Sequence, residues 1–260
     1  MPDEAPLVIT ERSSDGVLLV RLNRPERRNA LSTPVLMALV AALNTATADP
    51  SVGAVVVTGN ETVFAAGADI DELAQASSED DVESPRFLAW QEIRGFTKPL
   101  LAAVEGWCLG AGCELAMCCD IIVAGKDARF GQPETNLAIM PGAGGTVTLP
   151  RRIGQQLAML MVLTGAPITA QDARDCGLIA LVTETGQALE RALGLATTIA
   201  ARAPVAIRAA KASIKLATAL TEQAHLHRER EIYLALLGSA DKAEGIRAFK
   251  EKRAAVWTGR

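Results

Sequence analysis

The run Ala54-Val55-Val56-Val57-Thr58, closed by Gly59, narrows the architecture more sharply than any other stretch. Three valines in succession, with no polar alternation, read as a strand covered on both faces, as in a parallel sheet. The segments before it agree. Val17-Leu18-Leu19-Val20-Arg21-Leu22 reads as a strand, and Leu7-Val8-Ile9-Thr10 as its hairpin partner across Ser13-Ser14-Asp15-Gly16. Between the two strands a helix is predicted to open with Thr33 as N-cap and Pro34 at its first position. It carries Leu36, Leu39, Val40 and Leu43 on one face and stops at Asp49-Pro50. Strand, helix and strand in this order call for a right-handed crossover, so the chain is expected to be α/β.

A second unit follows. Residues 87–96 suit a helix, and Leu100-Leu101-Ala102-Ala103-Val104 suits a strand after Pro99. A glycine-rich turn then leads into a helix, starting after Gly112 and running through Cys118, and Ile121-Ile122-Val123-Ala124 reads as the next strand. Residues 75–85 are polar and acidic and read as a solvated connection, either a mobile loop or a frayed helix end. Because they follow the Gly67 turn, a lid over a pocket is the functional alternative. From about Ile153 the pattern is mainly helical, with candidates at 157–163, 170–176 and 188–201 and stops at Gly165 and Gly177. Pro204 breaks the run, and 206–253 reads as further helices that pack on the core or on a neighbouring subunit.

Bulk properties remove several classes. With 30 acidic against 26 basic residues and a net charge of −4, the 260-residue chain offers no general nucleic-acid surface. The acidic start Met1-Pro2-Asp3-Glu4 is no secretory signal, and few early basic residues argue against a transit peptide. The most apolar region, 100–124, is interrupted by Glu105, Glu114 and Asp120, which are costly in lipid. A cytoplasmic protein without a membrane span is expected. The five cysteines, Cys108, Cys113, Cys118, Cys119 and Cys176, follow no zinc-ligand spacing and read as free, buried thiols. Neither Gly142-Ala143-Gly144, followed by Val147, nor Gly110-Ala111-Gly112, followed by Leu115, completes a dinucleotide fingerprint, and Gly125-Lys126 completes no P-loop. His225 and His227 sit in a charged stretch that reads as an exposed helix face, and no serine occupies a nucleophile elbow.

What remains is a pair of carboxylates and a pair of turns. Glu114 lies in Gly110-Ala111-Gly112-Cys113-Glu114-Leu115-Ala116, among residues that desolvate it and raise its pKa while the helix N-terminus opposes the rise. The structural alternative is a helix-capping carboxylate paired with an arginine. Glu134 follows Pro133 in Phe130-Gly131-Gln132-Pro133-Glu134. The turn Phe64-Ala65-Ala66-Gly67-Ala68-Asp69-Ile70 resembles that before Glu114, dense in small residues whose N–H groups a ligand can approach. Two acids and two such turns are the parts needed to move a proton beside a polarised carbonyl.

On these stretches, together with Asn23-Arg24-Pro25, Asn29-Ala30-Leu31 and Pro141-Gly142-Ala143-Gly144-Gly145-Thr146, the chain resembles the enoyl-CoA hydratase/isomerase (crotonase) family, and the similarity continues to Lys252-Arg253. The resemblance implies an α/β spiral of repeated ββα units over residues 1–200 and a C-terminal helical trimerisation region over 201–260. It implies a homotrimer or a dimer of trimers. Ala68 and Ala111 match the two backbone N–H donors of the oxyanion hole, and Glu114 and Glu134 the two catalytic carboxylates of hydratases. Arg28, Ala30, Ala66, Asp69 and Ile70 fall where the family holds coenzyme A, and Pro133 falls in the substrate-binding set. Arg27 and Arg28 either meet its phosphates or face solvent. Trp90, Ile93, Leu137 and Met140 are expected around the acyl chain. No metal and no separate cofactor are implied, since coenzyme A enters as part of the acyl-CoA substrate, and no nucleic acid is expected.

Three departures stand out: Ala111 where many members have glycine, Val147-Thr148-Leu149 in place of Gln-Arg-Leu, and Ala255 in place of proline. The implied reaction is reversible hydration of a trans-2-enoyl-CoA. Retention of both glutamates favours it over isomerisation, and the acidic balance counts against a non-catalytic RNA-binding member. The chain is similar both to hydratases of phenylacetate catabolism, which act on dehydroadipyl-CoA, and to general β-oxidation hydratases.

Overall fold

Two sheets are laid down turn by turn in the structure, a computed structural model that describes residues 5–77 and 83–260. β1 (Val8–Arg12) and β2 (Val17–Leu22) form the expected hairpin, with Val8 opposite Leu22. α1 (Thr33–Ala48) crosses to β3 (Ala54–Thr58), which runs parallel to β2 and is buried along its whole length. The chain then enters the second sheet as β4 (Val63–Ala65) and continues into α2 (Ile70–Gln75) and α3 (Pro85–Gly95). β5 (Leu100–Val104), β6 (Trp107–Leu109) and α4 (Ala111–Cys118) repeat this ββα pattern. β7 (Ile121–Gly125) and β8 (Arg129–Gly131) begin it again.

After a 3-10 turn at Glu134–Leu137 come α5 (Gly145–Ile153), α6 (Gln155–Thr164), β9 (Ile168–Thr169) and α7 (Ala170–Asp175). β10 (Leu181–Thr183) and α8 (Ala188–Ala200) lead to the closing helices α9 (Pro204–Leu216), α10 (Glu222–Leu237) and α11 (Ala240–Glu251).

The strand orders explain the spiral. One sheet runs β1-β2-β3-β5-β7-β10 and the other β4-β6-β8-β9. Each ββ pair therefore gives its first strand to one sheet and its second to the other, and successive turns stack in parallel. The stacking is tight at the corners. Gly106, between β5 and β6, has φ +59°, and a Cβ there would lie 1.8 Å from the Thr62 carbonyl oxygen. Only glycine meets both demands. One face of the large sheet packs with the buried Leu36 and Leu39 of α1 and Ile93 of α3. The other is covered by α8, whose Ala188, Ala192 and Ala196 lie on Val17, Val56, Leu101 and Val123. No helix among the described residues is long and apolar enough to cross a membrane.

Several local expectations are corrected. The N-cap of α1 is Ser32, whose side chain accepts from the Val35 N–H, and Thr33 is already helical. α4 begins at Ala111, directly after Gly110, rather than after Gly112. The mainly helical segment after residue 153 also carries β9 and β10, which extend both sheets. The acidic connection falls partly on 78–82, outside the described residues; within it, Ser84 caps α3 by accepting from Phe87. His225 is half-buried and lies 3.3 Å from the Ser213 hydroxyl, while His227 is exposed. The five cysteines are free.

Candidate active site

Ala68 and Ala111 owe their positions to the spiral. β4 and β6 run parallel, and each ends in a small-residue turn on the same side of the sheet. The two turns touch: a Cβ on Gly110, which has φ +50°, would lie 3.6 Å from the Gly67 Cα. After Gly67 the chain pairs with the segment before α1, as Leu31 donates to the Gly67 carbonyl at 2.8 Å and Asp69 donates to that of Leu31 at 3.4 Å. The Ala68 N–H is skipped by this pairing. The Ala111 N–H opens α4, where a helix has no carbonyl to offer. Neither N–H donates to another backbone group among the described residues, and both residues line one cavity of about 270 Å³. Ala111 is not among the residues with positive φ, so alanine serves there without strain.

The carboxylates reach this cavity from two other directions. Glu114, one turn into α4, is 3% exposed. Its Oε1 accepts from the N–H groups of Ala143 at 2.8 Å and Gly145 at 2.6 Å, and so ties down the loop that leads into α5. Oε2 takes no hydrogen bond from the described residues. Burial pushes the Glu114 pKa up, while the two N–H donors and the nearby Arg94 and Arg86 pull it down. Among the described residues Glu114 makes no ion pair with an arginine, as the structural alternative would have it: Oε1 holds the loop into α5, and Oε2 is available to a ligand. Arg94 donates to the Ala143 carbonyl and so steadies the same loop.

Glu134 opens the 3-10 turn after Pro133. Its Oε1 would lie 3.0 Å from a Cβ on Gly110, so the carboxylate lies over the start of α4. Its pKa is pushed up to about 7, chiefly by burial and further by the Glu114 charge, against its own backbone N–H. Gln132, fully buried, stands beside it. With its amide turned to match its neighbours, the nitrogen donates to Glu134 Oε1 at 3.0 Å and Oε2 at 3.2 Å.

The cavity brings together Ala66, Ala68, Ile70, Ala111, Glu114, Pro133 and Glu134 from the sequence expectations, along with Trp90, Leu137 and Met140. It does not include Arg28, Ala30 or Asp69. Asp69 caps α2 by accepting from Asp71 and Glu72 and pairs with Arg24 at 2.7 Å, which lowers its pKa. The Ala30 carbonyl accepts from the same arginine at 3.2 Å. Arg28 is exposed at φ 51°, and its carbonyl accepts from the Ala66 N–H at 3.1 Å. Arg27 pairs with Asp71 at 3.2 Å on the surface. Ile93 is core rather than pocket. Sequence reasoning missed Arg86, Gln132 and the Ala143 and Gly145 N–H groups. For Arg86 a signal existed, its spacing of four residues from Trp90 on one helix.

Comparisons with known proteins identify the family. The sequence model of the enoyl-CoA hydratase/isomerase family matches residues 12–260. The 2,3-dehydroadipyl-CoA hydratase of Escherichia coli K12 is 47% identical over 94% of this chain and 96% of that protein. A mitochondrial enoyl-CoA hydratase of Pongo abelii is 41% identical over 95% of this chain and 86% of that protein. Among solved structures, the enoyl-CoA hydratase from Mycobacterium tuberculosis H37Rv superposes with a TM-score of 0.90 at 34% identity, covering 98% of this chain and 100% of that one. The chain belongs to the enoyl-CoA hydratase/isomerase family of enzymes, the crotonase family.

Proposed function

We propose that the enzyme adds water reversibly and syn across the double bond of a trans-2-enoyl-CoA, giving a 3-hydroxyacyl-CoA, in fatty-acid or phenylacetate-type degradation. One observation carries the proposal: two carboxylates, one of them with an oxygen that takes no hydrogen bond from the described residues, share a cavity with two backbone N–H groups that donate to no backbone group among those residues. As water attacks C3, negative charge moves to the thioester oxygen. The Ala68 and Ala111 N–H groups meet it there, the latter at the positive end of α4. One such donor is typically worth roughly 2.7–4 kcal/mol. In the hydration direction Glu114 takes the proton from water and Glu134 delivers one to C2. Coenzyme A is part of the substrate, and the reaction as proposed uses no metal or redox cofactor.

The name of the Escherichia coli relative supports a dehydroadipyl-type substrate and the phenylacetate branch. Assembly as a trimer or a dimer of trimers completes the proposal. It is supported by large apolar side chains left in solvent on the closing segment, with Phe249 86%, Ile214 73% and Val256 71% exposed. Light scattering should return a mass three or six times that of the chain.

The deciding experiment is Glu114→Gln and Glu134→Gln, followed by loss of the conjugated-thioester ultraviolet band of crotonyl-CoA. Each variant is expected to lose roughly 10²–10⁴-fold in kcat while still binding acyl-CoA. Wild-type turnover in either variant would remove that residue from the mechanism.

A further inference from the structure

Arg94 does not line the cavity, yet its side chain reaches the loop that holds Glu114. It stands in the last turn of α3, where the helix dipole favours a cation, and its guanidinium lies 5.8 Å from the Trp90 ring centroid. Its own carbonyl accepts from Lys215 of α9 at 3.2 Å, which fixes the helix end from which the side chain extends. Among the described residues, the hydrogen bonding of its guanidinium goes to the Ala143 carbonyl and to no carboxylate.

Three successive peptide groups of that loop divide between two partners. The Ala143 and Gly145 N–H groups donate to Glu114 Oε1, and the carbonyl of the peptide between them accepts from Arg94. Gly144 makes the alternation possible. It has φ +98°, and a Cβ there would lie 2.5 Å from Arg94 Nη2, so the guanidinium packs directly on the backbone. A Cβ on Gly145 would lie 3.0 Å from Glu114 Oε1. The loop is thus gripped by a cation at one residue and by a carboxylate at the next. With two donors on Oε1, the Glu114 carboxylate cannot turn without giving up both bonds. The position of the loop therefore decides where Oε2 points.

We propose that Arg94 is a positioning residue for hydration: by holding the Ala143 carbonyl it sets the two N–H groups that aim Glu114 Oε2 at the attacking water. The assignment rests on the hydratase reading of the same cavity. Its charge has a second effect. Burial raises the Glu114 pKa, and the Gly145 and Ala143 N–H groups, then Arg94, then Arg86, oppose the rise. The other titratable groups that bear on Glu114 are Glu134, which keeps its proton below about 7, and Cys118, whose thiol burial pushes up to about 11. Both are uncharged on the acid side of the profile, so of these groups only the two arginines carry charge there.

The test measures kcat, KM and the pH dependence of kcat/KM for enoyl-CoA hydration in Arg94→Met and Arg94→Lys, each below its melting range. Arg94→Met keeps an apolar stem beside Trp90 and loses both donor and charge. Its kcat should fall roughly 10- to 100-fold while KM stays close to wild type, because a misaimed base costs turnover rather than binding. The acid limb of kcat/KM should move to higher pH, since Glu114 then ionises without its nearer cationic support. Arg94→Lys, which keeps a charged donor, should recover part of kcat and bring the limb back towards wild type. Should Arg94→Met fail to fold, Arg94→Gln carries the same pH comparison with a neutral donor in place. A lower Tm with kcat and the acid limb unmoved, or a loss carried by KM alone, overturns the proposal and leaves the hydratase reading intact. A wild-type enzyme inert across a panel of trans-2-enoyl-CoAs removes the hydratase reading, and this assignment with it.

Discussion

Glu114 and Glu134 are chemically alike, and their surroundings set them apart. Glu114 has two N–H donors on one oxygen and two arginines nearby, all of which favour its ionised form against burial. Glu134 is buried with less compensation and faces the Glu114 charge, so its pKa rises from 4.5 to about 7. The proposed hydration needs Glu114 ionised and Glu134 protonated, and Glu134, with its pKa near 7, still holds its proton at pH 6. Dehydration needs the converse arrangement, which holds the same total number of protons. The overall reaction neither takes up nor releases a proton, so kcat/KM in both directions should follow one profile and fall as pH rises through about 7. Rates measured in both directions from pH 5 to 9 check this, and limbs that differ between directions would contradict it. Stability carries the same signature. The folded protein keeps a proton that the unfolded chain releases, so stability should drop as pH rises from 4.5 to about 7. Glu134→Gln removes this liability. Its Tm should exceed that of wild type at pH 8 by a margin that closes towards pH 4.5, as calorimetry at the two pH values would show.

At the scale of elements, α4 does more than carry Glu114, because its depth sets where the Ala111 N–H points. A Cβ on Gly112 would lie 2.3 Å from the Ala65 carbonyl oxygen and 2.7 Å from the Ala65 Cβ, so the helix rests directly on β4. Gly112→Ala should lift α4 away from the strand, destabilise the fold by about 1–3 kcal/mol and depress kcat beyond that loss. Gly194, in mid-α8 with nothing within 4 Å, is the control, and Gly194→Ala should add roughly 0.5–1 kcal/mol. Denaturant melts of both variants with kcat at 25 °C settle the comparison. The same contact shows which parts of the sequence could be read. β3 and α1 announce themselves through their own composition, the valine run and the Leu36, Leu39, Leu43 stripe. β4, β6 and β8 are three residues each, too short for alternation to register, and exist because their parallel neighbours pair with them. Glu114, Glu134, Ala68 and Ala111 were named from local motifs, and the structure brings all four to one cavity. Arg28, Ala30 and Asp69, placed at coenzyme A by the resemblance, lie outside the lining of this cavity, and hydrogen bonding within the chain engages the Asp69 side chain and the Arg28 and Ala30 carbonyls. Gln132 escaped notice because a lone polar residue carries no sign of what it will face, and Arg86 because its one signal, the four-residue spacing from Trp90, needs the helix to be placed against the cavity first.

Across the whole molecule, the spiral leaves helix ends and strand starts from different turns converging at points remote from the cavity, and Lys98 gathers one such group. It is 6% exposed, and its ammonium donates to the carbonyls of Ala46 at 2.6 Å, Asp49 at 2.7 Å and Val52 at 2.8 Å, the end of α1 and the approach to β3. Its own carbonyl accepts from Lys211 of α9 at 2.6 Å, and Lys211 also pairs with Asp120 at 2.7 Å. One buried cation thus ties the crossover helix, the central strands and the closing helices together. Lys98→Met keeps the apolar stem and removes all three donors, leaving the helix-end carbonyls without their partner. Hydrogen bonds from a charged group are worth about 1.5–3 kcal/mol each, but losses at one site are not additive and relief of the buried charge returns part of them. A net loss of about 3 kcal/mol is expected, which in a protein of this size lowers Tm by roughly 6–12 °C. Lys98 does not line the cavity, so kcat/KM at 25 °C should stay at the wild-type value while thermal melts show the loss. Activity that falls with Tm well below the melting range would instead mean that this junction controls the register of the turns carrying Ala68 and Ala111.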